Sequence, residues 1–443
     1  VNLSLFTDLY ELTMLQAYFE EQMQDRAVFS LFVRRLPERR NYLLACGLEE
    51  VLTYLENLRF DEEAIAYLAT LPQLSTRFLD HLKAFRFSGD VYAVPEGTPI
   101  FPHEPMLEIV APVGEGQFVE TFIINQIQLQ TMLASKAARV VEAAQGRRVV
   151  DFGLRRIHGI DAGMKAARAF HIAGVHATSN VAAGKAYGLE VAGTMAHSYV
   201  QAHDDEYEAF REFVKVYPDT VLLVDTYDTI AAVHKIVALA RELGSGFRVS
   251  AIRLDSGDLV ALAFECRRIL DAAGLHGVSI FASGSLNEDK VARVLAAGAP
   301  IDGFGVGTEM GVSSDAPSLE IIYKLVEYAG KGRLKLSPGK EVWPGQKQIF
   351  RVMNNDIAAH DVLACDDEAL AGRPLLRQVM QAGRRTVDGE TTLDDARRHA
   401  RTELARLPGA LRGLDPAGTP YRVVISAALA DAREALERRQ RFR

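Results

Sequence analysis

The chain has 443 residues, 48% of them hydrophobic and 24% charged, enough apolar material for one large α/β domain with a smaller companion. A formal net charge of -8 excludes a general nucleic-acid binder, whose surface would be basic. It leaves room for small anionic substrates, which need only local amides and single cations.

In chain order, Asp8 and Glu11 read as a capping box for a helix through Leu12, Leu15 and Phe19. Arg26 to Val33 reads as a strand, and Gly89 to Val113 as short strands and turns. A long helix is expected from Gln117 to Ala144, stopped by Gly146. Short apolar runs then recur at Val149–Asp151, Gly174–Ala177, Glu190–Gly193, Val221–Val224, Ser250–Leu254, Val278–Ala282 and Asp302–Val306. Helical stretches separate them, which predicts a parallel sheet closed into an irregular (β/α) barrel. An open doubly wound sheet is the competitor, but no G-x-G-x-x-G follows the first strand. After Leu325 the pattern turns to hairpins at Ser337-Pro338-Gly339 and Trp343-Pro344-Gly345. A mostly helical, Arg-rich tail follows, with a strand at Tyr421–Ser426. The expected fold class is therefore α/β, an irregular barrel over 119–330, with a 1–118 α+β domain and a 331–443 segment that packs partly with it.

Cys46, Cys266 and Cys365 are scattered and lack metal-ligand spacing. No apolar run approaches the roughly 18 residues of a membrane span, and Val1 to Asp8 has no signal-peptide pattern. A cytoplasmic protein without a membrane or nucleic-acid partner is expected.

The ends of the seven expected strands carry the chemistry. They read Asp151-Phe152-Gly153-Leu154-Arg155-Arg156, Thr178-Ser179-Asn180, Gly193-Thr194-Met195-Ala196-His197, Asp225-Thr226-Tyr227-Asp228, Arg253-Leu254-Asp255-Ser256-Gly257-Asp258, Ser283-Gly284-Ser285 and Gly305-Val306-Gly307-Thr308. One strand-end Asp is often only a helix cap, but polar groups at every tip point to an active site at the mouth of a barrel. The last two tips suit phosphate, with Gly305 and Gly307 admitting the backbone and Thr308 adding a hydroxyl. Tight turns needing positive φ are the plainer reading of those glycines. Arg253 can hold a carboxylate in a two-bonded fork or pair internally with Asp255. Asp255 and Asp258 suit ribose hydroxyls or the waters of Mg²⁺. His197 at its tip suits a base, a metal ligand or a nucleophile, its tautomer fixed by an acid for which Asp225 is well placed, though a lone His is more often structural.

Several of these runs, in order, resemble the nicotinate phosphoribosyltransferase family. They are Thr7-Asp8-Leu9-Tyr10-Glu11-Leu12-Thr13-Met14, Phe152 to Arg156, Gly193 to His197, Val224 to Asp228, Arg253 to Asp258, and Gly305 to Thr308. Tyr323-Lys324-Leu325-Val326 and Pro344-Gly345-Gln346-Lys347-Gln348 extend the match to about Arg351. The resemblance implies formation of nicotinate mononucleotide and pyrophosphate from nicotinate and phosphoribosyl pyrophosphate (PRPP), for NAD biosynthesis, with ATP as co-substrate and Mg²⁺. It implies a homodimer with shared active sites. It makes His197 the residue phosphorylated by ATP, and gives the nicotinate carboxylate to Arg253 and Thr194. Phe152 and the neighbouring subunit's Tyr10 would sandwich the ring. Thr308, Gly305, Gly307, Ser283 and Gly284 would cradle phosphates, Asp255 the ribose, and Arg155 the pyrophosphate.

Two features depart from the family pattern. Glu309 follows Thr308, where a basic or neutral residue is usual, and the C-terminal zinc cysteines of some relatives are missing. Among alternatives, a nicotinamide phosphoribosyltransferase would place an Asp where this chain has Ser179-Asn180. A non-catalytic nucleotide sensor on the same fold would be expected to lack His197, Arg253 or Asp255. Quinolinate would call for more cations, and an aldolase-type barrel for a tip Lys.

Overall fold

The computed structural model describes residues 2–335 and 342–441, so the expected turn at Ser337-Pro338-Gly339 lies outside the described residues. The chain forms two compact units, one from Val1–Ser135 with Ser318–Arg443 and one from Lys136–Pro317.

The second unit is built on six parallel strands: β1 Arg148–Asp151, β2 Ala177–Thr178, β3 Val221–Leu223, β4 Ala251–Leu254, β5 Ser279–Ala282 and β6 Gly303–Val306. Their order is β2-β1-β6-β5-β4-β3, a ring sequence opened between β2 and β3. The last strand pairs with the first, from Gly303↔Arg148 to Val306↔Asp151, which makes this a curled barrel sheet and not an open doubly wound one. Val149, Val150, Ile252, Leu254, Ile280 and Ala282 are all buried, as parallel strands covered on both faces require. The strand expected at Glu190–Gly193 shrinks to one bridge, Thr178↔Val191. The run is short and ends in glycine, and it makes two backbone bonds to Thr178 before the chain leaves for His197. The opening of the ring therefore falls at the tip that carries His197.

The first unit holds a seven-stranded antiparallel sheet whose centre is Ile321–Tyr328, Arg26–Val33, Pro105–Pro112 and Asp90–Ala93. Val28, Phe32, Val110 and Val326 form one of its cores. A four-stranded sheet contains Lys347–Asn354, Ile357–Cys365 and the expected tail strand at Val423–Ile425. On it the buried Arg351 forks onto Asp361 at 3.0 and 2.7 Å, and the Tyr421 hydroxyl donates to the same carboxylate at 2.8 Å. Strand Ile321–Tyr328 pairs along Arg26–Val33, so the boundary between units falls at Pro317 and not at 330. The other boundary lies inside helix Glu120–Ala143, at Ser135 and not at 118.

Two local expectations change. Val119 separates Val113–Phe118 from Glu120–Ala143, so the long helix is two. The capping box at the start of Leu9–Glu20 is not formed: Asp8 makes no side-chain cap, and its carboxylate accepts from the Thr121 hydroxyl at 2.6 Å. Glu11 is buried and accepts from the Thr121 N–H and hydroxyl, both at 2.9 Å, and from Thr7.

Candidate active site

Side chains alternate across a strand, so Arg253 on β4 faces the opposite side from the buried Ile252 and Leu254. Its guanidinium donates to the Asp255 carboxylate at 3.0 Å, the Ser283 hydroxyl at 3.2 Å and the Met195 carbonyl at 2.9 Å. Its Nε is buried with no hydrogen-bond partner among the described residues. Burial pulls the guanidinium below its ordinary pKa, Asp255 and Asp225 pull it up, and the nearby Arg155 lowers it again. A largely buried cation with an unspent donor, its neighbouring carboxylate only half engaged, is suited to pair with an anion.

The Asp255 Oδ1 atom is taken by Arg253 and by the Ser283 hydroxyl at 2.5 Å, while Oδ2 lies 4.0 Å from His197 Nε2. His197 opens the short helix His197–Gln201, and its Nδ1 is 3.1 Å from Thr226 Oγ1. The expected partner Asp225 is engaged otherwise. Its Oδ2 accepts from the Ser256 hydroxyl at 2.5 Å, and its Oδ1 is buried without a partner among the described residues.

Phe152 follows β1, its backbone N–H bonded to the Val306 carbonyl at 2.9 Å. Its ring lies 6.0 Å below the Arg253 guanidinium and 6.2 Å from Phe281. A side chain on Gly305 would come within 2.5 Å of the Phe152 ring, and one on Gly303 within 2.8 Å of Phe281. Strand β6 thus leaves out side chains at alternate positions to seat two aromatic rings. Neither the phosphate nor the positive-φ reading of Gly305 is needed to explain its being glycine. Gly307 backs onto the Phe152 carbonyl at 3.2 Å from its would-be Cβ.

Gly284 has φ +90, and its would-be Cβ falls 1.7 Å from the Asp255 carbonyl oxygen, so only glycine fits. The buried Asp151 accepts from the Gly153 N–H at 2.7 Å and the Thr178 hydroxyl at 2.8 Å, joining the first two tips. Burial raises its pKa against those bonds. Ser179 is half-buried and its N–H donates to the Asp151 carbonyl at 2.8 Å. Thr194 is half-buried at the tip beside Met195, and its hydroxyl donates to the Met195 carbonyl at 3.2 Å. Arg155 is exposed on the turn Leu154–Arg156, and Thr308 is exposed at the start of Thr308–Gly311. Glu309 turns its carboxylate to the Ser314 hydroxyl at 2.5 Å.

Asp258, expected with Asp255 near a Mg²⁺ ion, spends one carboxylate oxygen inside the protein. It caps helix Leu259–Ala272, accepting from the Val260 and Ala261 N–H groups at 3.1 Å. Among the described residues no group of three or more His, Cys, Asp or Glu side chains could hold a metal ion. Sequence reasoning gave no role to Thr226, Ser256, Phe281 or Gly303. For the last two the signal was present: alternate glycines in an apolar strand mark a close approach.

A curled parallel sheet with a guanidinium, carboxylates, a His and glycine loops gathered at its C-terminal mouth has the layout of a barrel enzyme. Two family models match the chain: the nicotinate phosphoribosyltransferase N-terminal domain over residues 5–128 and the nicotinate phosphoribosyltransferase family over 147–363. A nicotinate phosphoribosyltransferase of Mycobacterium tuberculosis is 52% identical over 423 residues, covering 96% of this chain and 91% of its own. The crystal structure of human nicotinic acid phosphoribosyltransferase superposes with a TM-score of 0.86 at 28% identity, covering 98% of this chain and 100% of that one. A Pyrococcus furiosus nicotinate-nucleotide pyrophosphorylase shares the fold, with a TM-score of 0.74 at 24% identity over 91% of this chain and 96% of that one. The chain belongs to the nicotinate phosphoribosyltransferase family, and it is an enzyme.

Proposed function

We propose that this enzyme joins nicotinate to PRPP at the mouth of the curled sheet and couples the reaction to ATP through a phosphohistidine at His197. The observation that carries the reading is Arg253, a largely buried guanidinium whose buried Nε has no partner among the described residues, set over the Phe152 ring. A pyridine ring stacked on Phe152 would bring its carboxylate to that cation, with Thr194 and Ser179 at the adjoining tips. Asp255 would hold the ribose, and Ser283, Gly284, Gly307 and Thr308 would face the phosphates, with Arg155 beside the pyrophosphate. As the anomeric carbon–oxygen bond breaks, positive charge grows on the sugar and the bonding pair leaves with pyrophosphate. The ring nitrogen then supplies the pair for the new C–N bond. Holding ring and sugar in line is the main contribution of these residues.

With its proton on Nδ1 toward Thr226, His197 keeps the Nε2 lone pair free to attack the γ-phosphorus of ATP. The bond to ADP breaks and ADP leaves with its electrons. The phosphorylated ring carries about two negative charges beside Asp255, which shifts substrate affinities between steps. Asp255 Oδ2 and the unpartnered Asp225 Oδ1 are the oxygens available to a Mg²⁺ ion carried in by the phosphates. Such an ion would offset the charge on the leaving pyrophosphate. Scattered free cysteines are consistent with a cytoplasmic enzyme.

The test is a coupled assay with PRPP, comparing nicotinate with nicotinamide, with and without ATP. Nicotinate should be preferred by at least about 100-fold in kcat/KM, because a charged hydrogen bond to Arg253 is worth a few kcal/mol. Equal turnover of the two bases would refute the substrate assignment.

A further inference from the structure

The loops after β5 and β6 leave the sheet together. Their strands pair only at Phe281↔Gly303 and Ala282↔Phe304, so beyond Ala282 and Phe304 the ladder no longer sets their spacing. A buried ammonium, that of Lys136 on helix Glu120–Ala143, is tied to the segments that follow both loops. It is 2% exposed and lies 2.6 Å from a Glu288 carboxylate oxygen and 2.7 Å from Asp315 Oδ1. Glu288 begins the helix that follows the Ser283-Gly284-Ser285 loop, and Asp315 closes the segment after Thr308–Gly311. Arg139, one turn along the same helix face, holds the other Glu288 oxygen at 3.0 Å.

We infer that Lys136 is a positioning residue for PRPP, its ammonium fixing the distance between the two phosphate-facing loops by pairing with Glu288 and Asp315 at once. The inference rests on the reading of those loops as the phosphate cradle. A buried ion cluster is weak support for stability, since apolar groups of the same volume pack as well. What it fixes is direction, because two cations and two carboxylates pair in a single arrangement. A shift of about 1 Å in either loop would spoil a site built from short hydrogen bonds to one phosphate.

The experiment compares Lys136→Met and the milder Asp315→Asn, which breaks one arm only, with Thr308→Val, which removes a donor from the cradle itself. Expected are KM values for PRPP raised about 5- to 10-fold in both brace variants, with KM for nicotinate within about twofold of the parent. The double variant should resemble Lys136→Met alone, because both changes break one linkage. If Lys136→Met fails to fold, Asp315→Asn carries the same comparison. A raised KM for PRPP in Thr308→Val, with parental KM and only a lowered Tm in the brace variants, would overturn the inference and leave the phosphate reading standing. Parental KM for PRPP in all three variants would overturn the phosphate reading, and the inference with it.

Discussion

At the scale of single residues, two titratable groups set measurable behaviour. Glu11 is buried at the start of helix Leu9–Glu20, and burial pushes its carboxyl up to about 7 against the hydrogen bonds from Thr7 and Thr121. The carboxylates facing the same corner are Asp8 and Glu120, with the Tyr10 phenol between them. The folded chain therefore keeps a proton that the unfolded chain releases near 4.5, and stability contributed at low pH is lost as pH rises through about 7. The full swing is at most about 3 kcal/mol. Glu11→Gln, which mimics the protonated form, should match the parent's Tm at pH 5 and exceed it by a few degrees at pH 8. A lower Tm than the parent at pH 8 would mean the ionised carboxylate is stabilising. His197, proposed to carry the phosphate, has a partly exposed ring with Nδ1 3.1 Å from Thr226 Oγ1. His197→Ala should lose ATP hydrolysis coupled to synthesis while keeping some ATP-independent product formation. Label from γ-labelled ATP should appear as acid-labile phosphate on the parent and not on the variant; label on the variant would remove His197 from that role.

At the scale of elements, β6 shows how a strand makes a pocket by omission. Gly303 and Gly305 sit at alternate positions and leave the space filled by the Phe281 and Phe152 rings. Gly305→Ala would put a methyl 2.5 Å from the Phe152 ring and 3.1 Å from Phe281, forcing Phe152 to swing from beneath Arg253. KM for nicotinate should rise about tenfold, or roughly 1.4 kcal/mol, with KM for PRPP little changed. Gly277→Ala, at a position with no neighbouring atom within 4 Å, serves as the control. An unchanged KM for nicotinate in Gly305→Ala would show that the Phe152 ring does not set the base site. The strand-by-strand pattern was legible because each β-run is apolar and each tip polar, so five of seven expected strands form within a residue, while Gly174–Ala177 shifts to Ala177–Thr178. Glu190–Gly193 failed as a strand because two hydrogen bonds to the two-residue β2 are all it can make. The site residues were legible as types at strand ends, but their partners were not. Asp225 and Thr226 are neighbours in sequence, and only the turn geometry decides which reaches His197. Asp258 likewise was legible as a polar strand tip, but its capping of the next helix was not, since a cap and a ligand ask for the same residue at the same place.

At the scale of the whole molecule, the N-terminal segment leaves apolar side chains uncovered. Leu3, Leu5, Phe6, Leu9 and Tyr10 are each about two-fifths exposed on a single protomer, an arrangement costly in water unless a partner covers it. Tyr10 lies in the first unit, far in sequence from Phe152, yet belongs to a run that resembles the family's. A closed two-fold dimer in which Tyr10 of one subunit stacks on nicotinate in the other's barrel would account for both facts. Tyr10→Ala and Arg253→Ala should then each be nearly inactive alone. Co-refolded at equal concentration, about half the dimers would be mixed, each with one site holding both residues and one holding neither. Activity should recover to about a quarter of the unmutated level, half the dimers times half the sites. Chromatography with differently tagged chains establishes that mixed dimers form. Mixed dimers without recovered activity would mean that Tyr10 serves its own subunit's site, and an inactive Arg253→Ala beside a fully active Tyr10→Ala would mean that it serves neither.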